Sequence, residues 1–386
     1  MNLSLSKKNI CICLCMLSGS NAVFSQELGF SSEAELKVSH NSNIYRTTSE
    51  VNDNILSINP TLEYLGAYGK QAIRFHYVGG YAAFNDNTNL NYAEHDVLVS
   101  AELDHTNKLS TEFTMRYRDQ IETPGSNNSI TSQVLEYNQF AVSDLFASLM
   151  YGTSQSSEQI VMQYAHSNFD YKNKGQEFRS YVRDLLSGNF FYKIGANTRF
   201  LFEASISDLS YENTDLIDLT SFQTRSLIGV DWSPSAATST SLKVGYLNVD
   251  YDNNNLSDLS GLSYSFDLKW RPSSYTLIQG AAIRDARESA ELLVGGYINN
   301  QFSISASHEL TYKTKIFVGY IHSNYDFDSA VRREDTRNDL TAKLSFQSKN
   351  WLNLYLEYKV DKRSSLIEFY NYNANIVSVG VLASFN

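Results

Sequence analysis

Three short clusters combine the residue types of nucleophilic catalysis: His40-x-Ser42-Asn43, His166-Ser167-Asn168 and His322-Ser323-Asn324. A serine nucleophile needs a neighbouring base and a third group that orients this base, and the three must converge in space. The combination recurs at several strand-to-loop junctions. A preference of these residue types for strand ends therefore explains it better than a catalytic centre does. The sequence therefore predicts that the protein is not an enzyme.

No metal or cofactor site is predicted either. Asp250, Asp252 and Asp258 surround the asparagines at 253–255 and could offer oxygen ligands to Ca²⁺. The segment lacks the ligand spacing and the central glycine of a known Ca²⁺ loop, so a solvated loop is the preferred interpretation. The sequence also lacks a phosphate-binding loop, a dinucleotide fingerprint and the Cys/His spacing of a zinc site.

Charged side chains recur on one face of the clearest strand-like segments. As lumen-lining residues they could bind sugar hydroxyls or carboxylates weakly, since arginine forks pair with carboxylates and lumen charges tune selectivity. In the alternative interpretation they only hydrate the lumen and pair with each other across strands. The candidates are Arg74, His76, Glu112, Arg116, Arg118, Arg199, Glu203, Arg225, Lys243, Asp267, Lys269, Glu357 and Lys359.

The strand pattern itself is clearest at 109–118, where Leu, Thr, Phe, Met and Tyr alternate with Ser, Glu, Thr, Arg and Arg. Side chains on a strand alternate between faces, so one face is apolar and the other polar. The same alternation recurs at 261–270 and 351–361, and at the chain's end from Val377 to Phe385. Strands of about ten such residues, separated by turns, are typical of a transmembrane β-barrel.

The N-terminus predicts secretion. Lys7 and Lys8 precede an apolar run that is too short to span a bilayer, so residues 1–25 are interpreted as a signal peptide and residues 26–386 as one barrel domain. All three cysteines lie inside the signal peptide, so closure of the barrel rather than disulfides must stabilise the mature chain. The predicted location is the outer membrane of a Gram-negative bacterium.

Composition excludes other classes. No later segment approaches the roughly 20 apolar residues of a transmembrane helix. Removing two lysines with the signal peptide changes the net charge from −11 to −11 − 2 = −13. This acidity argues against nucleic-acid partners and fits acidic, solvated outer loops that face lipid and lipopolysaccharide.

The predicted architecture is an all-β, antiparallel up-and-down barrel of about 18 strands, with 16 as the alternative. An even number places both termini in the periplasm, with short connections there and long polar loops outside. The strand-like segments are 33–39, 54–66, 71–84, 92–104, 108–118, 134–152, 158–169, 178–192, 198–210, 219–232, 238–250, 261–270, 275–286, 290–309, 315–325, 337–347, 351–361 and 371–385.

Aromatic residues mark the strand ends. Two similar turns, Trp232-Ser233-Pro234-Ser235 and Trp270-Arg271-Pro272-Ser273, place an indole where an amphipathic ring favours the membrane interface, and Phe385 closes the last strand. A second repeat, seen in Asn168-Phe169-Asp170-Tyr171 and Asn324-Tyr325-Asp326-Phe327, predicts aromatics at the outer rim. Most of these are interpreted as membrane-interface residues, although some could stack on sugar rings.

The segment His40-Asn41-Ser42-Asn43-Ile44-Tyr45-Arg46, the following strand at 55–64, the Trp-x-Pro-Ser turns and the Asp-Tyr strand ends together resemble an outer-membrane β-barrel family. This is the family encoded in exopolysaccharide operons (EpsL-like, also called putative β-barrel porin 2). The resemblance implies export of an exopolysaccharide or capsular polysaccharide, together with a periplasmic polysaccharide-export lipoprotein. A general or oligosaccharide-uptake porin and a structural or adhesin-like barrel remain the alternatives.

A permanently open barrel of this size would leak small antibiotics, so we expect long loops to fold inward and form a constriction. The candidates are 118–133, which contains Pro124 and Gly125, and 326–337, which contains Arg332, Arg333 and Arg337. In the alternative interpretation both loops stay outside and solvated.

Overall fold

The computed structural model describes residues 28–127, 136–214, 218–289, 294–329 and 332–385. They form one closed sheet of 18 antiparallel strands, which confirms the predicted fold class and strand number. The strands are β1 (Gly29–Asn41), β2 (Asp53–Tyr68), β3 (Gln71–Phe84), β4 (Tyr92–Asp104), β5 (Leu109–Ile121), β6 (Gln139–Tyr151), β7 (Glu158–Tyr171), β8 (Tyr181–Gly195), β9 (Thr198–Tyr211), β10 (Ser221–Ser235), β11 (Thr238–Tyr251), β12 (Leu259–Ser273), β13 (Thr276–Glu288), β14 (Gly296–Glu309), β15 (Thr314–Phe327), β16 (Arg333–Lys349), β17 (Leu352–Ser365) and β18 (Tyr372–Phe385).

Each strand pairs with its neighbours in the chain, and β1 also pairs with β18. This closing ladder runs from Ser32 opposite Phe385 to Asn41 opposite Ile376. Closure removes every free sheet edge, so the backbone groups within a membrane are hydrogen-bonded between strands.

Several strand bounds differ from the predicted ones. β16 starts at Arg333 rather than at 337, and β6 and β14 start later than 134 and 290. Residues 134–135 and 290–293 of those predicted segments lie outside the described residues, as does the predicted signal peptide. Pro234 and Pro272 lie inside the ends of β10 and β12, where the ladder shifts register after Trp232 and Trp270. A bulge tolerates proline because it lacks one ladder hydrogen bond.

The two ends of the barrel differ in connection length. One end, the short-turn end, has connections such as 69–70, 236–237 and 274–275, and it also holds the start of β1 and the end of β18. The other end, the long-loop end, has connections such as 42–52, 122–138 and 172–180. The short turns carry Lys70, Lys108 and Lys313 and no Asp or Glu, whereas acidic residues are frequent in the long loops. The arrangement matches the predicted alternation of short and long connections.

Side chains alternate between the two faces of the wall as the sequence predicts. On β5, Phe113, Met115 and Tyr117 lie on the outer face, and Met115 is 65% exposed. Arg116 and Arg118 lie on the opposite face, and Arg118 is buried. An apolar outer face on a closed barrel is the surface that lipid covers in a membrane.

Three short 3₁₀ helices, Thr88–Leu90, Glu177–Arg179 and Glu368–Tyr370, lie in the connections at the long-loop end. In the described part of the chain, no helix is both long enough and apolar enough to cross a membrane.

Candidate functional site: the lumen and its outer constriction

The predicted lumen-lining arginines lie on the inner face, and each is paired with an acidic neighbour. The Arg116 guanidinium binds Asp96 through two hydrogen bonds of 2.8 and 2.5 Å. Arg118 binds Asp144 at 2.7 Å. Two planar N–H groups that face two carboxylate oxygens form the strongest geometry available to such a pair. These contacts fix the arginine side chains against the wall.

The inner face is also identified by contacts that skip a strand. Glu203 of β9 accepts hydrogen bonds from Arg225 of β10 at 3.3 Å and from Lys243 of β11 at 3.1 Å. Arg199 of β9 bonds Asp231 of β10 at 2.8 Å and Gln159 of β7 at 2.9 Å. Such reach across an intervening strand is shortest on the concave side of a curved sheet. Glu203 is only 1% exposed, and the two cations compensate a carboxylate that would otherwise be buried without a partner.

The remaining candidates are distributed around the wall. Arg74 pairs with Glu63 at 3.2 Å, Lys359 pairs with Glu357 at 3.1 Å, and Glu112 contacts Thr114 at 3.5 Å. Asp267 accepts a hydrogen bond from Ser265 at 3.4 Å. His76 is partly buried on β3, and Lys269 is exposed near the short-turn end of β12. The structure does not bring the predicted residues together into one site. Their ion pairs agree with the alternative interpretation, in which the charged side chains pair with each other across strands.

The β5–β6 connection folds into the barrel at the long-loop end. Its first residue, Glu122, is buried and forms an ion pair with Arg179 of the β7–β8 connection, and the Arg179 guanidinium lies 4.1 Å from the centre of the Tyr171 ring. This anchor holds the start of the loop beside the wall formed by β5 to β8. Residues 128–133 of the predicted constriction lie outside the described residues.

From this anchor the chain reaches the wall on the far side of β1. The Tyr372 hydroxyl of β18 donates a hydrogen bond to the Gly125 carbonyl at 3.2 Å. Arg363 of β17 donates to the Asn127 side chain at 2.8 Å. Gly125 has φ +75, a backbone conformation that favours glycine. Segment 122–127 therefore narrows the lumen, and we call this segment and its partners the outer constriction.

The β1–β2 connection adds a second layer to the outer constriction. Ile44 is buried in a cluster with Ala82, Phe84 and Leu90. Arg46 forms an ion pair with Asp361 of β17 at 2.9 Å. The chain between β1 and β2 therefore turns into the barrel instead of extending away from it.

Asp335 and Arg363 form the centre of this charge network. Asp335 is fully buried and pairs with Arg363 and with Arg333, the latter at 2.7 Å. Arg333 lies between two rings, 3.9 Å from the centre of Phe327 and 3.6 Å from that of Tyr370. Buried charges in this number are retained only when paired and hydrogen-bonded.

The prediction that segment 326–337 forms a constriction is wrong. β15 and β16 remain paired up to Phe327 opposite Arg333, so most of this segment belongs to the wall. Arg332 is exposed and pairs loosely with Glu334 at 3.5 Å. The sequence predicts that the arginines of this segment lie in an inward-folded loop, but Arg333 and Arg337 belong to β16, the strand that supports the outer constriction.

The β13–β14 hairpin narrows the lumen at a second place, which the sequence pattern does not predict. The ladder between β12 and β13 ends at Tyr264 opposite Arg284, whereas β13 and β14 stay paired to Glu288 opposite Gly296. Beyond the end of that ladder, Gln223 of β10 donates to Glu288 at 3.2 Å. Ile298 of β14 packs in one cluster with residues of β11 and β12, namely Leu247, Val249 and Leu259. The hairpin end therefore leans over the inner face of β10 to β12.

The aromatic repeat faces the lumen, not the membrane interface. Phe169, Tyr181 and Tyr211 form a row across β7 to β9, with ring centres 4.4 and 5.3 Å apart. Tyr325 and Phe327 are buried and contact the Tyr297 ring on the inner face. The interpretation of these strand ends as interface residues is therefore wrong. The signal was present, since they have the parity of the polar face of their strands.

The other aromatic candidates lie on the outer face at the short-turn end. Trp232, Trp270 and Phe385 are 50%, 43% and 54% exposed, and Phe385 stacks on Trp351 with ring centres 6.3 Å apart. Exposed indoles at one level of a barrel are typical of the lipid–water boundary.

Asp53, at the long-loop end of β2, organises the neighbouring β3–β4 connection. Its carboxylate accepts hydrogen bonds from the backbone N–H groups of Asn85, Asp86 and Asn87 and from the Asn87 side chain at 2.8 Å. Burial alone would raise the pKa of Asp53, but these hydrogen bonds hold the pKa below its usual value.

A closed barrel with an apolar outer belt, a charged inner face and an inward-folded loop defines the class of outer-membrane, porin-like channels. The family model described as "Putative beta-barrel porin 2" matches residues 29–385. The chain therefore belongs to this family. Comparison with curated proteins finds no match.

Solved porins share the fold at low sequence identity. The outer membrane protein OpdK from Pseudomonas aeruginosa is 8% identical, with 93% of this chain and 100% of that chain covered and a TM-score of 0.51. A BenF-like porin from Pseudomonas fluorescens Pf-5 is 8% identical, with 92% and 99% covered and a TM-score of 0.50. Likeness at this identity establishes the fold alone.

Proposed function

We propose that this protein is a constricted porin through which small polar or oligomeric solutes enter across the outer membrane. The observation that carries the proposal is the bridge from Glu122 on one wall to Tyr372 and Arg363 on another. Barrels of 16 to 18 strands enclose an aqueous channel. A loop fixed across that channel admits narrow solutes and hinders wide ones.

The paired charges of the wall support weak rather than tight solute binding. Most of the lumen candidates already bind a neighbour, such as Asp96 on Arg116 or Glu203 on Lys243. A passing hydroxyl group exchanges hydrogen bonds with such pairs without leaving an uncompensated charge. Conduction requires binding that is favourable enough for entry and weak enough for exit.

Export of an exopolysaccharide or capsular polysaccharide is the second candidate, and the inward-facing aromatic row favours it. Rings such as Phe169, Tyr181 and Tyr211 offer apolar edges and two phenol groups on the path that a sugar chain would follow. In this case the outer constriction has to open, and a periplasmic polysaccharide-export lipoprotein would engage the short-turn end. The resemblance to barrels of exopolysaccharide operons points the same way.

Reconstitution separates the two candidates. In liposomes, a constricted porin should admit monosaccharides quickly and longer oligosaccharides progressively more slowly, and planar bilayers should show steady small conductance steps. A folded barrel that neither conducts nor admits monosaccharides would exclude the uptake proposal. For export, deletion of the gene should abolish secreted polymer, and the neighbouring genes should encode glycosyltransferases, a flippase and a polymerase. Unchanged secretion would exclude the second candidate.

A further inference from the structure

The wall is continuous across the apolar belt, but it splits between β12 and β13 at the long-loop end. The ladder that joins these two strands ends at Tyr264 opposite Arg284. β12 continues to Leu259 and stays paired with β11, and β13 continues to Glu288 and stays paired with β14. Beyond Tyr264, the edge of β12 that faces β13 therefore has no strand partner among the described residues.

Two side chains end the ladder at a defined point. The Ser263 hydroxyl donates to the Arg284 carbonyl at 2.8 Å, and Arg284 Nε donates to the Leu262 carbonyl at 3.0 Å. Gly261 follows with φ +152, a backbone conformation that favours glycine. Apart from its chain neighbours, no atom lies within 4 Å of a Cβ added at Gly261. The split therefore begins with open space beside the β12 edge.

The β13–β14 hairpin passes behind the free edge of β12. Ile298 has the strand parity of the outward-facing residues Phe302 and Ile304, which are each 45% exposed, yet it is only 8% exposed. It packs with Leu247 and Leu259, which have the parity of the inner face. The outer face of β14 thus lies against the inner face of β11 and β12. We call the apolar overlap between these two layers the lateral slit.

The lateral slit reaches the outer surface at the upper edge of the apolar belt. Tyr246 of β11 lies opposite Leu262 of β12, and both side chains are more than half exposed. One step further toward the long-loop end, the outer face carries the polar pair Asn248 and Ser260. This change marks the depth at which acyl chains meet headgroups. A molecule in the outer half of the bilayer can therefore reach the slit from the side, without passing the outer constriction.

Arg284 places a positive charge at the mouth of the lateral slit. Its Nη1 donates to the Asn300 side chain at 2.7 Å, and the guanidinium forms no ion pair with a described residue. Asp285 lies on the opposite face of β13 and pairs with Arg287 at 3.3 Å. Asp258, just before β12, accepts a backbone N–H at 3.0 Å. A guanidinium stays charged at physiological pH, and its N–H groups suit a carboxylate.

We propose that the lateral slit is a binding site for a long-chain fatty carboxylate. The acid group binds the Nη groups of Arg284, and the alkyl chain enters beside Gly261, between β12 and the β13–β14 hairpin. The unpaired guanidinium selects an anion, and the apolar lining selects a chain. This site is separate from the polar path through the outer constriction, so the inference goes beyond the proposed function.

The test measures equilibrium binding of radiolabelled ligands to the folded barrel in nonionic detergent. The probes are palmitate, hexadecanol with the same chain length, and the short-chain acid hexanoate. The wild-type protein should bind palmitate at least tenfold more tightly than either other probe, because only palmitate has both the acid group and the long chain. Arg284→Gln should weaken palmitate binding roughly tenfold, the loss expected for a charge-assisted hydrogen bond, and should leave hexadecanol binding unchanged.

Arg332→Gln is the matched control, because the Arg332 side chain is 83% exposed on the β15–β16 connection. This variant should bind palmitate as the wild type does. In the wild type, palmitate with a diazirine in its chain should label residues 259–263, 286–288 or 296–298. Equal affinity for palmitate and hexadecanol, equal palmitate binding by the two arginine variants, or labelling spread evenly over the outer belt would overturn the proposal. The ligand comparison and the labelling need no variant to fold.

Discussion

The Tyr372 hydroxyl and the Gly125 carbonyl are joined by a hydrogen bond of 3.2 Å across 247 residues of sequence. The bond ties the β5–β6 connection to the last strand of the barrel, next to the seam where β18 closes on β1. Loop position and barrel closure are thereby linked in one contact. If the outer constriction governs passage, changes here should alter conductance without unfolding the wall.

Gly125→Ala should release the loop. Its Cβ would lie 2.7 Å from the Tyr372 hydroxyl and 2.9 Å from the Arg46 Cβ, and its φ of +75 strains a side chain in any case. We expect larger single-channel conductance and greater vancomycin sensitivity. Gly175→Ala is the control, because Gly175 has φ +84 but nothing within 4 Å of an added Cβ. The same gain in conductance for both variants would show that backbone strain, not the loop contact, is responsible.

Arg363→Ala should destabilise the long-loop end. Arg363 is 1% exposed at its side chain, and it pairs with the fully buried Asp335. Asp335 would keep Arg333 as its one cationic partner, so we expect a loss at the low end for a broken buried ion pair, about 3 kcal/mol. Arg332→Ala, at a side chain that is 83% exposed, should change the free energy of unfolding by less than about 0.5 kcal/mol. Urea unfolding in detergent micelles measures both, and equal costs would contradict the network.

The face assignment can be tested on β5. Phe113→Arg places a charge on the lipid face and should cost about 2–4 kcal/mol near mid-membrane. From the sequence, Arg116→Gln should be nearly neutral, but the structure changes this expectation, because Asp96 would lose two hydrogen bonds. Arg116→Gln combined with Asp96→Asn should recover most of that loss, whereas Phe113→Arg should have no such rescue. Folding yield on unboiled gels reports both, and tolerance of Phe113→Arg would refute the lipid-facing assignment.

The free energy of unfolding at the long-loop end should fall at acidic pH, because Asp53 becomes protonated. Its pKa is lowered in the folded protein, so its contribution is present above the pKa of the unfolded chain and is lost as the pH falls through the folded pKa. Asp53→Asn should cost about 1–3 kcal/mol near neutral pH, because the acceptor for several N–H groups is weakened. The variant should also show a weaker decrease in the free energy of unfolding below about pH 4 than the wild type does. An unchanged acid profile in the variant would assign that loss to other carboxyl groups.

Tryptophan fluorescence should report one membrane boundary only. The chain has three tryptophans, and Trp232, Trp270 and Trp351 all lie exposed on the outer face at the short-turn end. Insertion into liposomes should shift their emission to shorter wavelength, and lipids brominated near the headgroup should quench it more than lipids brominated at the acyl end. Stronger quenching by lipids brominated at the acyl end would show that these indoles lie near the bilayer centre. This result would contradict the placement of the short-turn end at the lipid–water boundary.

The sequence alone was sufficient to predict the strands of the barrel wall and the face on which most of their side chains lie. Alternation with period two is a local property, so Phe113 and Arg116 could be assigned to opposite faces without knowledge of their neighbours, and the strand count followed from repeated alternation. The same local rule could have turned Phe169 and Tyr325 inward, because they have the parity of the polar face. Residue type alone, without the parity, predicts the membrane interface for them.

The constriction was decided only by the tertiary structure. Whether residues 122–127 fold inward depends on Tyr372 and Arg363, which are brought to them by closure of β18 on β1. Nothing near 122–127 in the chain encodes that meeting. For the same reason, Arg333 belongs to a wall strand and the β13–β14 hairpin leans over β11 and β12. Periodicity fixes which face a side chain occupies, but contacts across the lumen depend on the register and closure of the whole barrel.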